Sequence, residues 1–106
     1  MAKYLFQGSY TEKGLKGLLQ EGGSSRVKVV EQLAASVGGK LEMFYFAYGS
    51  DDFFIVVDMP DNISVIATSM IVNASGAATA RTTVLITPEE VDQASKITVD
   101  YRPPGQ

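Results

Sequence analysis

Residues 38–61 read GGKLEMFYFAYGSDDFFIVVDMPD, and this stretch decides the fold. Gly38-Gly39 supplies a helix stop, where positive φ is needed and a Cβ is costly. Two apolar segments follow, Lys40 to Tyr48 and Asp52 to Asp58, separated by Gly49-Ser50-Asp51. A short turn-forming segment between two strand-like runs is a hairpin signal. The second run, Phe53-Phe54-Ile55-Val56-Val57, is apolar without alternation, as expected of a strand covered on both faces. Met59-Pro60-Asp61 ends it and opens a helix, with Asp61 as N-cap or first-turn acid.

Upstream, Lys3 to Tyr10 reads as a strand. Tyr4, Phe6, Gly8 and Tyr10 share one face, and Leu5, Gln7 and Ser9 the other. Gly8 inside it marks a bulge or a close backbone approach. Thr11 caps a short helical turn carrying Leu15, Leu18 and Leu19, which Gly14 and Gly17 weaken and Gly22-Gly23 ends. Ser24 or Ser25 caps a helix over 25–37, with Val27, Val30, Leu33, Ala34 and Val37 forming its apolar stripe. Downstream, Ile63, Ile66, Ala67, Met70, Ile71 and Ala74 give the helix after Asp61 an inward stripe. A Thr- and Val-rich strand spans 78–86. Thr87-Pro88-Glu89-Glu90 starts a last helix to Ser95, and the Pro-containing tail is extended.

The order β-α-β-β-α-β with an added C-terminal helix predicts an α+β, ferredoxin-like fold: two helices on one face of a four-stranded antiparallel sheet. Two helices cover one face only. The 40–48 strand nevertheless carries Phe44, Phe46 and Tyr48 on one side and Leu41, Met43, Tyr45 and Ala47 on the other. A bare face this apolar calls for a cover, and a second subunit supplies one; the alternative is that the N-terminal loop, last helix and tail fold back over it.

The segments Gly38-Gly39-Lys40-Leu41, Phe44-Tyr45, Gly49-Ser50-Asp51-Asp52 and Val56-Val57-Asp58-Met59-Pro60-Asp61 resemble the GYD domain family. So do Arg81-Thr82-Thr83 and Leu85-Ile86-Thr87-Pro88-Glu89-Glu90. The similarity covers roughly residues 1–95, leaving 96–106 as an extended tail. The family name refers to a Gly-x-Tyr-Asp turn; Gly49 and Asp52 match it, and Asp51 stands at the Tyr position. The resemblance implies a dimeric α/β barrel-type assembly, in which two ferredoxin-like sheets face each other, and brings no established activity.

Composition removes much of the chemical repertoire. The 106 residues include no Cys, no His and no Trp. Disulfides, thiolate nucleophiles, imidazole-based triads, and zinc, haem or iron–sulfur centres held by Cys or His are therefore excluded. No metal and no cofactor is expected. Nine basic against twelve acidic residues give a net charge of −3, which disfavours nucleic acid and anionic membranes as partners. No apolar run is long enough to span a membrane, and a cytoplasmic setting is the default.

The strand face opposite the aromatic one holds Leu5, Gln7, Ser9, Met43, Tyr45, Thr79, Arg81 and Thr83. Apolar walls with a few polar groups suit a small-molecule pocket as well as a wet interface. Gln7, Ser9, Tyr45 and Arg81 are its candidate ligand-binding residues, Arg81 through a guanidinium that forks onto a carboxylate. Tyr45 as proton donor and Asp52 as general base are the candidate catalytic residues. An Asp at a strand start more commonly accepts turn N–H bonds. Asp52 and Arg81 are expected toward opposite ends of the sheet, and so are not paired. Two functions fit. One is a non-catalytic dimeric or oligomeric module that binds a small apolar or aromatic molecule. The other is a cofactor-independent oxygenase or isomerase acting on a small aromatic or enolisable substrate.

Overall fold

A computed structural model describes residues 2–106. It contains β1 (Ala2–Tyr10), α1 (Glu12–Glu21), α2 (Gly23–Ser36), β2 (Lys40–Phe46), β3 (Phe53–Met59), α3 (Asn62–Ala74), β4 (Ala78–Leu85) and α4 (Pro88–Ser95). The strands form one sheet in the order β2-β3-β1-β4, and every neighbouring pair is antiparallel. This is the expected ferredoxin-like α+β arrangement. Its core lies between the sheet and α2 and α3, where Tyr4, Phe6, Phe53, Ile55, Val57 and Met59 meet Val30, Ala34 and Val65.

The hairpin and the Pro60-Asp61 junction form as read. The Asp61 carboxylate accepts the Ser64 N–H at 2.8 Å and so caps α3. Gly8 is required by a close approach: a Cβ there would run into the Thr79 carbonyl on β4. What reads as a short turn after Thr11 is a full helix of ten residues. The Thr11 side chain caps it, and Gly14 lies against the Ala77 backbone, where a side chain has no room.

Four local expectations are corrected. First, β2 stops at Phe46, so Tyr48, expected on the same side of the strand as Phe44 and Phe46, lies beyond it and is fully exposed. Second, the β2–β3 register shifts between Leu41 and Met43, leaving Glu42 as the extra residue. A bulge reverses the alternation, which puts Leu41 against the core beside Phe44 while Met43 and Tyr45 keep the opposite face. Third, α2 is not capped by Ser24 or Ser25. It starts directly at Gly23 after Gly22, whose φ of 84° suits glycine, and no side chain caps it.

The fourth correction concerns α3. Ile63, Ile66, Met70 and Ile71 are 74%, 53%, 65% and 65% exposed, so the expected stripe faces outward. Val65 and Thr68 are buried instead, with Val72 packed against the core. These three also follow helical spacing, and the Thr68 hydroxyl is satisfied by donating to the Ser64 carbonyl at 2.9 Å. A helix apolar on nearly all sides offers more than one stripe, and the strand connections choose between them.

The α4 helix carries a complete capping box between Thr87 and Glu90 but buries no residue. Every residue from Ile86 to Gln106 is exposed. The radius of gyration, 17.0 Å, exceeds the ~13 Å of a compact chain of this length because this arm projects from the body. The last helix and tail therefore do not fold back over the second sheet face.

Candidate functional site

The sheet face away from α2 and α3 is built from alternate residues of four strands, and the register orders them into rows. Met43, Val56, Leu5 and Thr83 form one row; Tyr45, Phe54, Gln7 and Arg81 form the next. Three of the four candidate ligand-binding residues, Gln7, Tyr45 and Arg81, thus share a single row across all four strands. Ser9 lies one row on, opposite Thr79, with its hydroxyl 3.4 Å from the Ser50 carbonyl. Leu5, Phe54 and Val56 are only partly buried and Tyr45 is 66% exposed. No element among the described residues covers them.

Ion pairs flank this apolar band at both ends. At one end Lys3 Nζ bridges Glu42 at 2.7 Å and Asp58 at 3.0 Å. The two carboxylates, Glu42 first and then Asp58, raise the Lys3 pKa above its ordinary 10.5. At the other end Arg81 donates to Asp51 at 2.7 Å. The Asp51 carboxylate is nearly buried and the Arg81 side chain is 61% exposed. Since β1 lies between β3 and β4, this pair reaches over the central strand.

The Arg81–Asp51 pair corrects the expectation that Asp52 and Arg81 lie toward opposite ends of the sheet, since Asp51 immediately precedes Asp52 in the same turn. Both β3 and β4 run antiparallel to β1, hence parallel in direction to each other, and both begin at the same end. Asp51, the residue at the family's Tyr position, and not Asp52 is the carboxylate that meets Arg81. A carboxylate just ahead of an apolar strand, with one Arg in the strand two places across, was the available signal.

Asp52 turns the other way and accepts the Tyr10 N–H at 2.9 Å. Its role is that of a backbone acceptor, which ties the start of β3 to the end of β1. Tyr10 stacks on Phe53 with ring centroids 5.2 Å apart, and burial raises its phenol pKa above the ordinary 10.0 despite the nearby Arg26 cation. Among the described residues, no group of three carboxylates is arranged to hold a metal ion. No helix is long and apolar enough to cross a membrane.

The architecture defines a class, the ferredoxin-like α+β domain with helices on one sheet face and an open, ion-pair-flanked second face. The family profile for the GYD domain matches residues 4–95, and the chain belongs to the GYD domain family. Neither the curated proteins nor the solved structures contain a match to the chain.

Proposed function

We propose that the chain is a non-catalytic module that pairs with a second copy through its open sheet face, as a dimer or an assembly of dimers, and holds a small apolar or aromatic molecule between the facing sheets. The observation that carries this reading is the partly open apolar band of Leu5, Met43, Phe54 and Val56 between two ion-paired ends. Removing the rest of each side chain from water would gain on the order of 1 kcal/mol apiece. The row of Tyr45, Gln7 and Arg81 sets polar groups beside that band, as a small-molecule site requires. The reading as a cofactor-independent oxygenase or isomerase finds less support, since the Asp52 carboxylate is already engaged by a backbone N–H.

Light scattering across the micromolar range tests the pairing, and native mass spectrometry of protein from cells tests for a retained molecule. The expected result is a dimer or larger, which Tyr45→Asp dissociates without unfolding, because Tyr45 is exposed in the single chain. A stable monomer near 11.4 kDa overturns it.

A further inference from the structure

The outer edge of β4 is closed near its start and open near its end. The Asn73 side chain of α3 accepts the Ala80 N–H at 2.9 Å and donates to the Ala80 carbonyl at 3.3 Å. Alternate residues of an antiparallel strand turn their backbone groups to the same side, so Thr82 and Val84 also present theirs away from β1. No strand lies beyond β4, and among the described residues no backbone group bonds to these two from that side. An open stretch of edge is a template for another strand. The side chains beside it are apolar: Val84 borders a groove lined by Ile66 and Met70, two of the outward residues of α3. That helix holds no charged residue from Asn62 to Ala74, although one side of it faces water.

The arm that leaves this edge has the matching pattern. After α4 come Ile97-Thr98-Val99-Asp100-Tyr101, in which apolar and polar side chains alternate as in a strand with one covered face. All three apolar side chains are exposed, and α4, with only eight residues, is too short to persist in water without packing. The chain as a whole exposes 7485 Å², against ~5,800 Å² for a compact monomer of its mass. The surplus of about 1,700 Å² exceeds the ~800 Å² that each partner hides in a standard stable interface. In its own chain α4 leads Ile97–Tyr101 away from the body. At ~1.5 Å per residue α4 is about 12 Å long, enough to cross the ~10 Å between two facing sheets.

We infer that residues 86–101 are exchanged between two copies of the chain, Ile97–Tyr101 adding a fifth strand to β4 of the other copy beside Thr82 and Val84. Ile97, Val99 and Tyr101 then lie against Val84 and the outward Ile66 and Met70 of α3, while Thr98 and Asp100 fall on the sheet face that holds Arg81. This inference rests on the face-to-face pairing proposed above and assigns it a second contact, a strap at the edge of the sheets. The arm leaves β4 next to the stretch of edge that it fills, so one two-fold axis gives each copy's arm to the other and the exchange closes. The strap covers apolar side chains on both partners and pairs the free backbone groups of the edge.

Isotope-filtered NMR on an equal mixture of labelled and unlabelled full chain tests this, together with amide hydrogen exchange. Methyl groups of Ile97 and Val99 in one copy are expected to show contacts with Ile66 and Val84 in the other. The Thr82 and Val84 amides, which point away from β1, should exchange slowly, because an added strand protects them. Val99→Asp sets a charge among apolar side chains and should lower the protection of those two amides about tenfold or more. The central Phe6 and Ile55 amides should stay protected, since Val99 is exposed in the single chain. Contacts between Leu5 and Val56 of the two copies report the face-to-face pairing separately. Their presence without the arm contacts would overturn the exchange and leave the pairing standing, whereas their absence in a monomeric chain would defeat both. Arm contacts confined to one copy, rapid exchange at Thr82 and Val84, or unchanged protection in Val99→Asp would each overturn the inference.

Discussion

Both faces of the sheet carry apolar side chains but are finished differently. On one face Tyr4, Phe6, Phe53, Val57 and Met59 are each less than a tenth exposed beneath α2 and α3. On the other, Leu5, Phe54 and Val56 alternate with them along the same strands and remain partly open. The face that becomes core beneath the helices is the more uniformly aromatic and apolar one, whereas the other mixes its apolar residues with Lys3, Gln7, Asp58 and Arg81. The uncovered face instead carries the ion pairs, Lys3 with Glu42 and Asp58, and Arg81 with Asp51. Charges at both ends of an apolar band work against non-specific association through it, and would restrict how the second copy proposed above aligns with it.

Substitutions on the two faces should separate these roles. The largest effect is expected on the covered face. Phe6→Ala should destabilise the chain by about 3–5 kcal/mol, measured by urea denaturation, since a buried aromatic leaves a cavity that the packed core does not fill. Its counterpart on the open face, Phe54→Ala, should cost the isolated chain about 1 kcal/mol, in proportion to the smaller area it buries. Its main effect should be on self-association, seen as a denaturation midpoint that no longer depends on protein concentration. Equal losses for the two substitutions, both independent of concentration, would erase the distinction between the faces.

Removal of the cross-sheet ion pair should have an intermediate effect. Arg81→Ala leaves the nearly buried Asp51 carboxylate without its partner, and a loss of about 1–2 kcal/mol is expected, reduced by the exposure of the Arg81 side chain. Asp51→Asn together with Arg81→Ala should recover part of it, and denaturation of the double variant measures how much.

The smallest effects are those of pH. Asp61 has its carboxyl held below the ordinary 3.8 by the Ser64 N–H it accepts. A depressed folded pKa means that its contribution is present above the unfolded value and is lost as pH falls through the folded one. Lys3 behaves oppositely. Its raised pKa gives a contribution complete below 10.5 that is lost as pH rises through the folded value. Melting temperature against pH should therefore lose part of its acid slope in Asp61→Asn and part of its alkaline slope in Lys3→Met. No His contributes between these limits.

Much of the fold was legible because its signals are local. The Gly49-Ser50-Asp51 turn, the Asp61 and Thr87 caps, the Gly38-Gly39 stop and the α2 stripe each depend on a few neighbouring residues, and each appears where read. The α3 stripe was not legible, because Ile63, Val65, Ile66, Met70, Ile71 and Val72 surround the helix and satisfy more than one inward face. Leu41 was assigned to the wrong side of β2 because the bulge at Glu42 is a property of the β2–β3 pairing. The candidate residues Gln7, Tyr45 and Arg81 do share a face and a row, whereas Asp52 is occupied elsewhere and Asp51 takes the ionic role.

By itself the sequence determined the order of elements, the antiparallel α+β class, the family and the exclusion of thiolate and imidazole chemistry. Each follows from residue types and short-range spacing. Only the tertiary structure decided that Arg81 meets Asp51, that α3 turns its isoleucines outward, and that a bulge at Glu42 brings Leu41 to the core side of β2. Such facts depend on strand direction, register and helix rotation, which are set by contacts between residues distant in the chain.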